Sequence, residues 1–556
     1  MQRRGARNAG GRIRLVMAAF ALLFAAIGGR LVQLGLAGNE RPAYAFRGVA
    51  NARPQILDRN GVLLATDLPS ASVYAEPRYV PDVDETVEKL VAIFPDLDAR
   101  QLHQRLKSDA AFAWLKRQVT PAQKQALWNA GLPAIGLRPE KRRIYPNGPL
   151  AAHVLGAVDL DNIGISGIEK WIDGQGLQEL NLAGMAGDAR KLEPVALTID
   201  VRVQHALADE TLKAMARFKA KAGAGLLLDV DNGEVLALAS FPDFDPNVPI
   251  DALKPERLNR ISAGAFEMGS TFKALTTAMA LDSGQFTLKS VIDARKPLQF
   301  GRQMIHDYRG KYRMLTIPEV FIYSSNISTA RIAMTLGGEA QRAYLTRFGL
   351  MSRLRTELPE SAAPILPRSW SDVTTATVSF GHGIAVTPLQ ASMGIAALVN
   401  GGRLITPTFI KGAPVAGRVV GSGLVSPATA DAMRYLLRYN AEVGSARNGA
   451  VAGYLVGGKT GTAEKVVNGR YVEDLVMTSF MAVVPADKPR YLLLTILDEP
   501  KGLPETYGFR TSGWNAVPLG GAILRRVLPM LGLQPQSLGT GVAYRDGKEI
   551  DAAGDL

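Results

Sequence analysis

An uncharged apolar run, LVMAAFALLFAAIGG, occupies residues 15–29; Arg30 follows, and a second apolar stretch runs to Gly38. The first run alone falls short of the about 20 residues a bilayer core requires at helical rise. If Arg30 extends to the outer interface, the span lengthens to about Leu36. No later stretch is long and apolar enough to span, so a single-pass anchor with a large outer portion is predicted. Further along, Asn60-Gly61 between apolar residues predicts a hairpin. Residues 82–130 have helical periodicity, with stops near Pro95 and Pro121.

A boundary fits near Pro194. Beyond it, Asp200 caps a predicted helix reaching about Lys221, and strands at 223–229 and 234–240 join through Asn232-Gly233. A helix followed by an antiparallel hairpin begins an α+β domain. Residues 269–283 read as a helix with Ser270 in its first turn. Strands are predicted at 454–467, 474–484 and 490–497, and residues 516–531 read as an amphipathic helix with Arg525 and Arg526 on its polar face. Residues 415–425 read as a loop and edge strand, and the Gly- and Asp-rich 536–556 as a tail. There is no internal repeat.

At 556 residues with 47% hydrophobic content, the chain is too long for one ordinary domain and has ample material for a core. It contains no cysteine, which excludes disulfides, thiol nucleophiles and a lipoprotein anchor. The five histidines (103, 153, 205, 306, 382) form no metal-binding pattern, so neither a metal nor another cofactor is expected. The net charge of +13 would suit a nucleic-acid binder, yet Arg3, Arg4, Arg7, Arg12 and Arg14 all precede the apolar run, and the first acidic residue is Glu40. Membrane topology explains that arrangement better, with the head cytoplasmic and no nucleic-acid partner. A cleaved signal peptide is the competing reading. Its candidate site, Ala43-Tyr-Ala45, lies well past the apolar core. Either reading exports residues after about 40.

Three short motifs carry the chemistry: Ser270-Thr-Phe-Lys273, Ser324-Ser-Asn326 and Lys459-Thr-Gly-Thr462. Positions i and i+3 share a helix face, so Lys273 is within reach of Ser270 Oγ. A serine hydroxyl needs a base, and a lysine serves only when burial or a second cation keeps it neutral. Lys459 is the candidate second cation. Ser324 can relay a proton to a leaving amine, and Asn326 can hold the lysine and a substrate amide in register. Lys459 with the hydroxyls of Thr460 and Thr462 suits a carboxylate, and Gly461 lets a substrate backbone approach a strand edge. Singly, each motif reads better as a helix cap, a turn or an exposed strand end than as chemistry. Their order and wide spacing make acyl transfer through a serine ester the joint reading.

These motifs resemble those of the class B penicillin-binding proteins, monofunctional peptidoglycan D,D-transpeptidases. The resemblance extends from the anchor to about residue 530. It includes Asp58-Arg-Asn-Gly61, Arg143-Ile-Tyr-Pro146, Gly164-Ile-Ser-Gly-Ile-Glu169, and Phe380-Gly-His-Gly383 before Thr387-Pro-Leu-Gln390. Thr478-Ser-Phe480, Asp498-Glu-Pro-Lys501 and Thr506-Tyr-Gly-Phe509 are similar to the division-specific branch, with the rod-elongation branch as runner-up.

The resemblance implies an α+β chain: a cytoplasmic head (1–14), a transmembrane anchor (15–38), an elongated mixed α/β pedestal of the dimerisation-like kind (39–194), a transpeptidase domain (195–535) and a tail (536–556). The transpeptidase domain would have an antiparallel sheet flanked by helices plus an all-helical subdomain. Ser270 would attack the penultimate D-alanine of a stem pentapeptide, Ser270 and Thr462 would supply oxyanion N–H groups, and β-lactams would acylate Ser270. The implied partners are nascent peptidoglycan strands, a polytopic glycan polymerase and other division proteins. The implied location is the inner membrane at the septum, with the catalytic domain periplasmic. His382 reads as a spacer near the site.

The sequence departs from the family pattern at three places: Met268 for a proline, Pro54 for a glycine, and Ile327-Ser328 where smaller residues are common. A β-lactamase would be about half this length, without a pedestal. A β-lactam sensor would carry a zinc protease, and a retired scaffold would have lost a catalytic group. A carboxypeptidase differs only in taking water as acceptor.

Overall fold

The computed structural model describes residues 15, 17–29, 52–177, 192–467 and 469–536, together with the backbone of 543–545 and 548–550. Two units are compact in themselves, Met1–Val49 and Ala50–Leu556. In the first, residues 17–29 are helical. No helix among the described residues is long and apolar enough to cross a membrane. The predicted basic head, Arg30 and the rest of the predicted span lie outside the described residues.

In the second unit, strand β1 (Ile56–Leu57) turns through Asp58–Gly61 and pairs antiparallel with β2 (Leu63–Ala75), as Asn60-Gly61 predicted. Helices α1 (Val83–Ile93) and α2 (Ala99–Leu106) follow, then β3 (Ala113–Val119), α3 (Pro121–Ala130) and β4 (Ile135–Ile144). The helical reading of 82–130 is therefore interrupted by a strand that pairs with β2. Pro121 starts a helix where a stop was expected. It occupies the first turn, where its missing N–H costs nothing, behind a Thr120/Gln123 capping box. Leu90, Phe94, Leu102, Leu115 and Leu127 form a separate small core here.

Below this head, α4 (Gly167–Ile172) carries Glu169 into a buried ionic cluster. Glu169 takes Arg53 Nε and Arg143 Nε, both at 2.7 Å, while Arg143 also reaches Asp67 at 3.1 Å and Arg53 reaches Asp173 at 2.6 Å. The Tyr145 hydroxyl donates to Glu169 at 3.1 Å. Arg143, Tyr145 and Glu169, from two of the motifs that carry the family resemblance, meet in this one place. Pro54 sits beside it, and its carbonyl accepts from Arg143, so the departure from glycine keeps the backbone acceptor.

After β5 (Val195–Ala196), helix α5 (Val201–Phe218) leads into β6 (Ala222–Asp229) and β7 (Val235–Phe241). The later strands are β8 (Gly457–Val467), β9 (Arg470–Val484) and β10 (Tyr491–Asp498), and α11 (Ala516–Met530) closes the domain. They form one antiparallel sheet in the order β8-β9-β10-β6-β7. Alternation along β10 shows how the sheet is covered. Leu492, Leu494 and Ile496 face the larger core with Phe272 and Leu436, whereas Leu493 and Leu497 face α5 and α11. Arg526 on α11 pairs with Glu210 at 2.7 Å and also contacts Asp209, which fastens the last helix to the first.

The helices between β7 and β8 that shape the cleft are α6 (Phe272–Asp282), α7 (Ile317–Tyr323), α8 (Asn326–Leu336), α9 (Pro388–Val399) and α10 (Pro427–Val443). The larger core is continuous across Pro194, holding Ile56, Leu64 and Ile168 together with Leu226 and Phe272. Val419–Gly421 pairs with Leu404–Ile405, matching the edge strand expected there. A short hairpin, Ala543–Arg545 with Lys548–Ile550, lies within the segment read as a tail.

Candidate active site

Ser270 sits in a single tight turn, Gly269–Thr271, that runs directly into α6. Gly269 has φ +53°, and a Cβ there would lie 2.7 Å from the Thr462 carbonyl, so only glycine lets this turn lie against β8. Met268, standing for the family proline, has φ −84°, and its side chain is buried. Its carbonyl accepts from Thr271 Oγ1 at 2.8 Å. Core packing and that hydrogen bond hold the approach to the helix in place of a ring.

Ser324 is the left-handed residue (φ 55°) that ends α7, and Ser325 caps α8 through the Ser328 N–H at 3.0 Å. The Ser-Ser-Asn turn is thus a helix-to-helix joint that aims Ser324 and Asn326 at Lys273. Two neighbours that no sequence motif marked fix the joint. Asp307 accepts from Ser325 Oγ at 2.8 Å and from the Ile327 N–H at 3.0 Å, while the His306 carbonyl accepts from Asn326 Nδ2 at 3.0 Å.

Lys273 and Lys459 are each 1% exposed. Lys273 Nζ donates to Ser324 Oγ at 3.0 Å, to Asn326 Oδ1 at 2.7 Å and to the Ser324 carbonyl. Those acceptors use all three ammonium donors, and among the described residues Ser270 Oγ is not one of them. The expected Lys273–Ser270 contact is therefore not formed while the lysine is engaged this way. Lys459 Nζ donates to the same Ser324 Oγ at 3.1 Å and lies 5.6 Å from the Phe321 ring centre. One hydroxyl bridges two buried amines, with both lone pairs taken and its own hydrogen left to give.

Burial first, then the charge of Lys459, pulls Lys273 well below the ordinary lysine value of 10.5, against an opposing pull from Asp307. Burial lowers Lys459 to about 7. These are the conditions under which an amine is available as a base near neutral pH.

On β8, Lys459 and Gly461 face α7 and the turn before α6, and Thr460 and Thr462 face Ser445 and Ser512 on the opposite side. A Cβ on Gly461 would lie 2.7 Å from the Met268 carbonyl and collide with Ser479 Oγ. The glycine is needed for the seating of the Gly269–Thr271 turn, a reason separate from the expected approach of a substrate backbone. Thr460 Oγ1 is 2.8 Å from Ser445 Oγ, which joins Asn440 at 3.2 Å, and Asn440 Nδ2 donates to the Gly458 carbonyl at 2.7 Å. Thr462 Oγ1 accepts from the Ser512 N–H at 3.2 Å. β8 is an edge strand, so its outer side is open to an extended peptide.

His382 is half-buried between Phe380 and Tyr471, and desolvation followed by nearby Lys273 lowers it to about 4. A neutral ring there suits a spacer. Glu267 accepts from the Gly383 N–H at 2.8 Å and the Tyr471 hydroxyl at 3.1 Å, tying the β8–β9 hairpin to the residues before Ser270. No group of acidic or histidine side chains among the described residues could hold a metal ion.

Residues 223–516 match the penicillin binding protein transpeptidase domain, and residues 49–175 match the penicillin-binding protein dimerisation domain. The chain belongs to the penicillin-binding proteins. Among relatives of this penicillin-binding protein, a Caulobacter vibrioides protein named probable peptidoglycan D,D-transpeptidase FtsI is 40% identical over 534 residues, covering 94% of this chain and 89% of the relative. The Escherichia coli peptidoglycan D,D-transpeptidase FtsI is 31% identical over 517 residues, covering 89% and 86%. The apo transpeptidase domain of Burkholderia pseudomallei penicillin-binding protein 3 is a similar solved structure. It has a TM-score of 0.54 and 31% identity, covering 61% of this chain and 98% of that one.

Proposed function

We propose that this penicillin-binding protein is the division-specific peptidoglycan D,D-transpeptidase, cross-linking stem peptides through a serine acyl-enzyme. The observation that carries the chemistry is the Lys273–Ser324–Lys459 chain, two buried amines on one hydroxyl beside Ser270. Loss of a proton from Lys273 frees a lone pair, which takes the hydrogen of Ser270 Oγ as that oxygen attacks the carbonyl of the penultimate D-alanine. Backbone N–H groups of Ser270 and Thr462 receive the developing oxyanion. The C–N bond to the terminal D-alanine then breaks, Ser324 gives its hydrogen to the departing amine, and Lys273 restores it.

An amine from a neighbouring stem attacks the ester, forms the cross-link and releases Ser270. Asn326 holds the donor amide, while Lys459 with the Thr460 and Thr462 hydroxyls receives the terminal carboxylate. A β-lactam enters the same sequence and stops at the ester. In this reading residues 15–38 anchor the chain in the inner membrane with residues 1–14 cytoplasmic, and 39–194 form a pedestal under a periplasmic 195–535. A glycan polymerase and other division proteins meet the anchor and pedestal.

Membranes carrying the full chain are labelled with a fluorescent penicillin beside a Ser270→Ala control. The expected result is a long-lived adduct absent from the control. No adduct on folded protein sinks the nucleophile assignment, and rapid loss of adduct would indicate a β-lactamase. Release of D-alanine without cross-links, in assays with the glycan polymerase, would indicate a carboxypeptidase.

A further inference from the structure

Beside the cleft, two cations are held on aromatic rings, and among the described residues neither makes an ion pair. The segment from His306 to Arg313 leaves the Ser-Ser-Asn wall, to which it is tied through His306 and Asp307. Within it, the Arg309 guanidinium lies 4.4 Å from the ring centre of Phe509. Lys311 Nζ lies 4.8 Å from the ring centre of Tyr323, the residue immediately before Ser324.

Phe509 belongs to the opposite wall. It stacks on Trp514 at 5.9 Å, and the Ser512 N–H in that loop donates to Thr462. Arg309 on Phe509 therefore joins the segment fastened to Asn326 with the loop fastened to Thr462. A donor peptide held between Asn326 and Thr462, as under Proposed function, would lie between the two walls that this pair joins.

The other charges nearby are accounted for. Arg313 pairs with Glu319, Arg510 pairs with Asp474, and Asp307 turns inward to Ser325 and Ile327. Among the described residues Arg309 and Lys311 make no ion pair, and both are exposed. Stacking fixes the plane of a guanidinium while leaving its in-plane N–H groups free, the arrangement that grips a carboxylate edge-on. Holding the cation in place beforehand lowers the ordering cost of binding.

We propose that Arg309 and Lys311 form a carboxylate-reading rim of the donor site, specific for a peptide carrying an anionic group N-terminal to its D-alanyl-D-alanine end. This rests on the donor placement given under Proposed function. The terminal carboxylate goes to β8; the rim takes a second one.

The test is equilibrium binding to the full chain in detergent with Ser270→Ala, so that no acylation is needed. Two fluorescent peptides ending in D-alanyl-D-alanine are compared, one with a carboxylate on the preceding residue and one with the carboxamide. The carboxylate peptide should bind about tenfold tighter in low salt, with the ratio shrinking in high salt. Arg309→Ala with Lys311→Ala should bring the ratio near one, and Arg309→Glu with Lys311→Glu should invert it. Equal binding by the parent overturns the proposal, as does a ratio that survives the double substitution. Should a double variant fail to fold, salt titration of the parent decides, and a salt-indifferent ratio counts against the rim. Failure of the Ser270 adduct would sink the enzymatic reading while leaving this ratio to be read on its own.

Discussion

The Glu169 cluster and the two-lysine cleft both bury charged side chains, and they do so in opposite ways. Around Glu169, two arginines meet three carboxylates at hydrogen-bond distance. Desolvation works against every charge there. Nevertheless the carboxylates hold Arg53 and Arg143 above the usual arginine value, and the arginines hold Glu169 below the usual carboxylate range. In the cleft, two lysines share neutral oxygens, and the nearest carboxylate, Asp307, spends both oxygens on the Ser-Ser-Asn joint. Both lysines are driven toward neutrality. Matched charge makes a lock; unmatched charge makes a base. The second arrangement costs stability, which the surrounding fold must supply.

The largest effect should come from removing Lys273, the base of the proposed mechanism. Lys273→Met is expected to slow acylation by about two to four orders of magnitude, the span of general-base effects. It should not lower the melting temperature, because a buried unmatched amine is exchanged for an apolar side chain. Stopped-flow acylation and thermal melts on the same preparation check both halves. A stability loss comparable to the pedestal variant below would erase the contrast.

Next in size is Glu169→Gln, which takes away the carboxylate that the two buried arginines share, leaving each a single carboxylate partner, and should cost about 3–5 kcal/mol of stability in denaturant melts. Because its folded pKa is depressed, the stabilisation by Glu169 is full above the unfolded carboxylate range. It is lost as pH falls through the lower folded value. The variant should therefore converge on wild type in acid.

The third sharpening uses pH in the other direction. The unfolded chain carries a proton on Lys459 up to 10.5, while the folded chain releases it at about 7. Wild-type stability should rise with pH through that window, and Lys459→Met should flatten the slope. Acylation should climb as Lys273 loses its proton and fall again as Lys459 does, so a pH-rate profile with no falling limb would separate the two roles.

The smallest change expected is from Asp307→Asn. It keeps the shape of the joint but leaves one acceptor oxygen where there were two, so the bond from the Ile327 N–H becomes neutral and Ser325 Oγ has to accept instead of donate, slowing acylation roughly five- to tenfold. Acylation at the wild-type rate would mean that the joint holds Ser324 without the charge.

Much of this site could be read in advance because its chemistry lies in short contiguous motifs. Ser270, Lys273, Ser324, Asn326 and Lys459 came from residue type and spacing, and the structure brings all five motif positions to one cleft. What could not be read was the support, since it comes from distant segments. Asp307 precedes Ser325 by a loop and two elements, and Ser445 reaches Thr460 from beyond α10. Gly461 was legible as necessary but not for this second reason, because the clash it avoids is with Met268 and Ser479. The strand at Ala113–Val119 was missed for a similar cause. Its partner is β2, some forty residues earlier, and local periodicity carries no trace of that pairing. The Pro121 error was local. A proline reads as a stop unless the capping residues around it, Thr120 and Gln123, are weighed with it.

The strand order has a consequence for how this protein comes into being. β6 lies between β7 and β10, and its register joins Asp229 to Tyr491 and Ala222 to Asp498. At ribosomal rates of about 5–20 residues per second, the first hairpin waits tens of seconds for the strand that completes it. Throughout that interval one edge of β6, apolar on both faces, has no neighbour. The molecule therefore matures late and all at once, and a chain cut short before residue 491 should be an aggregation hazard and a client for holding chaperones.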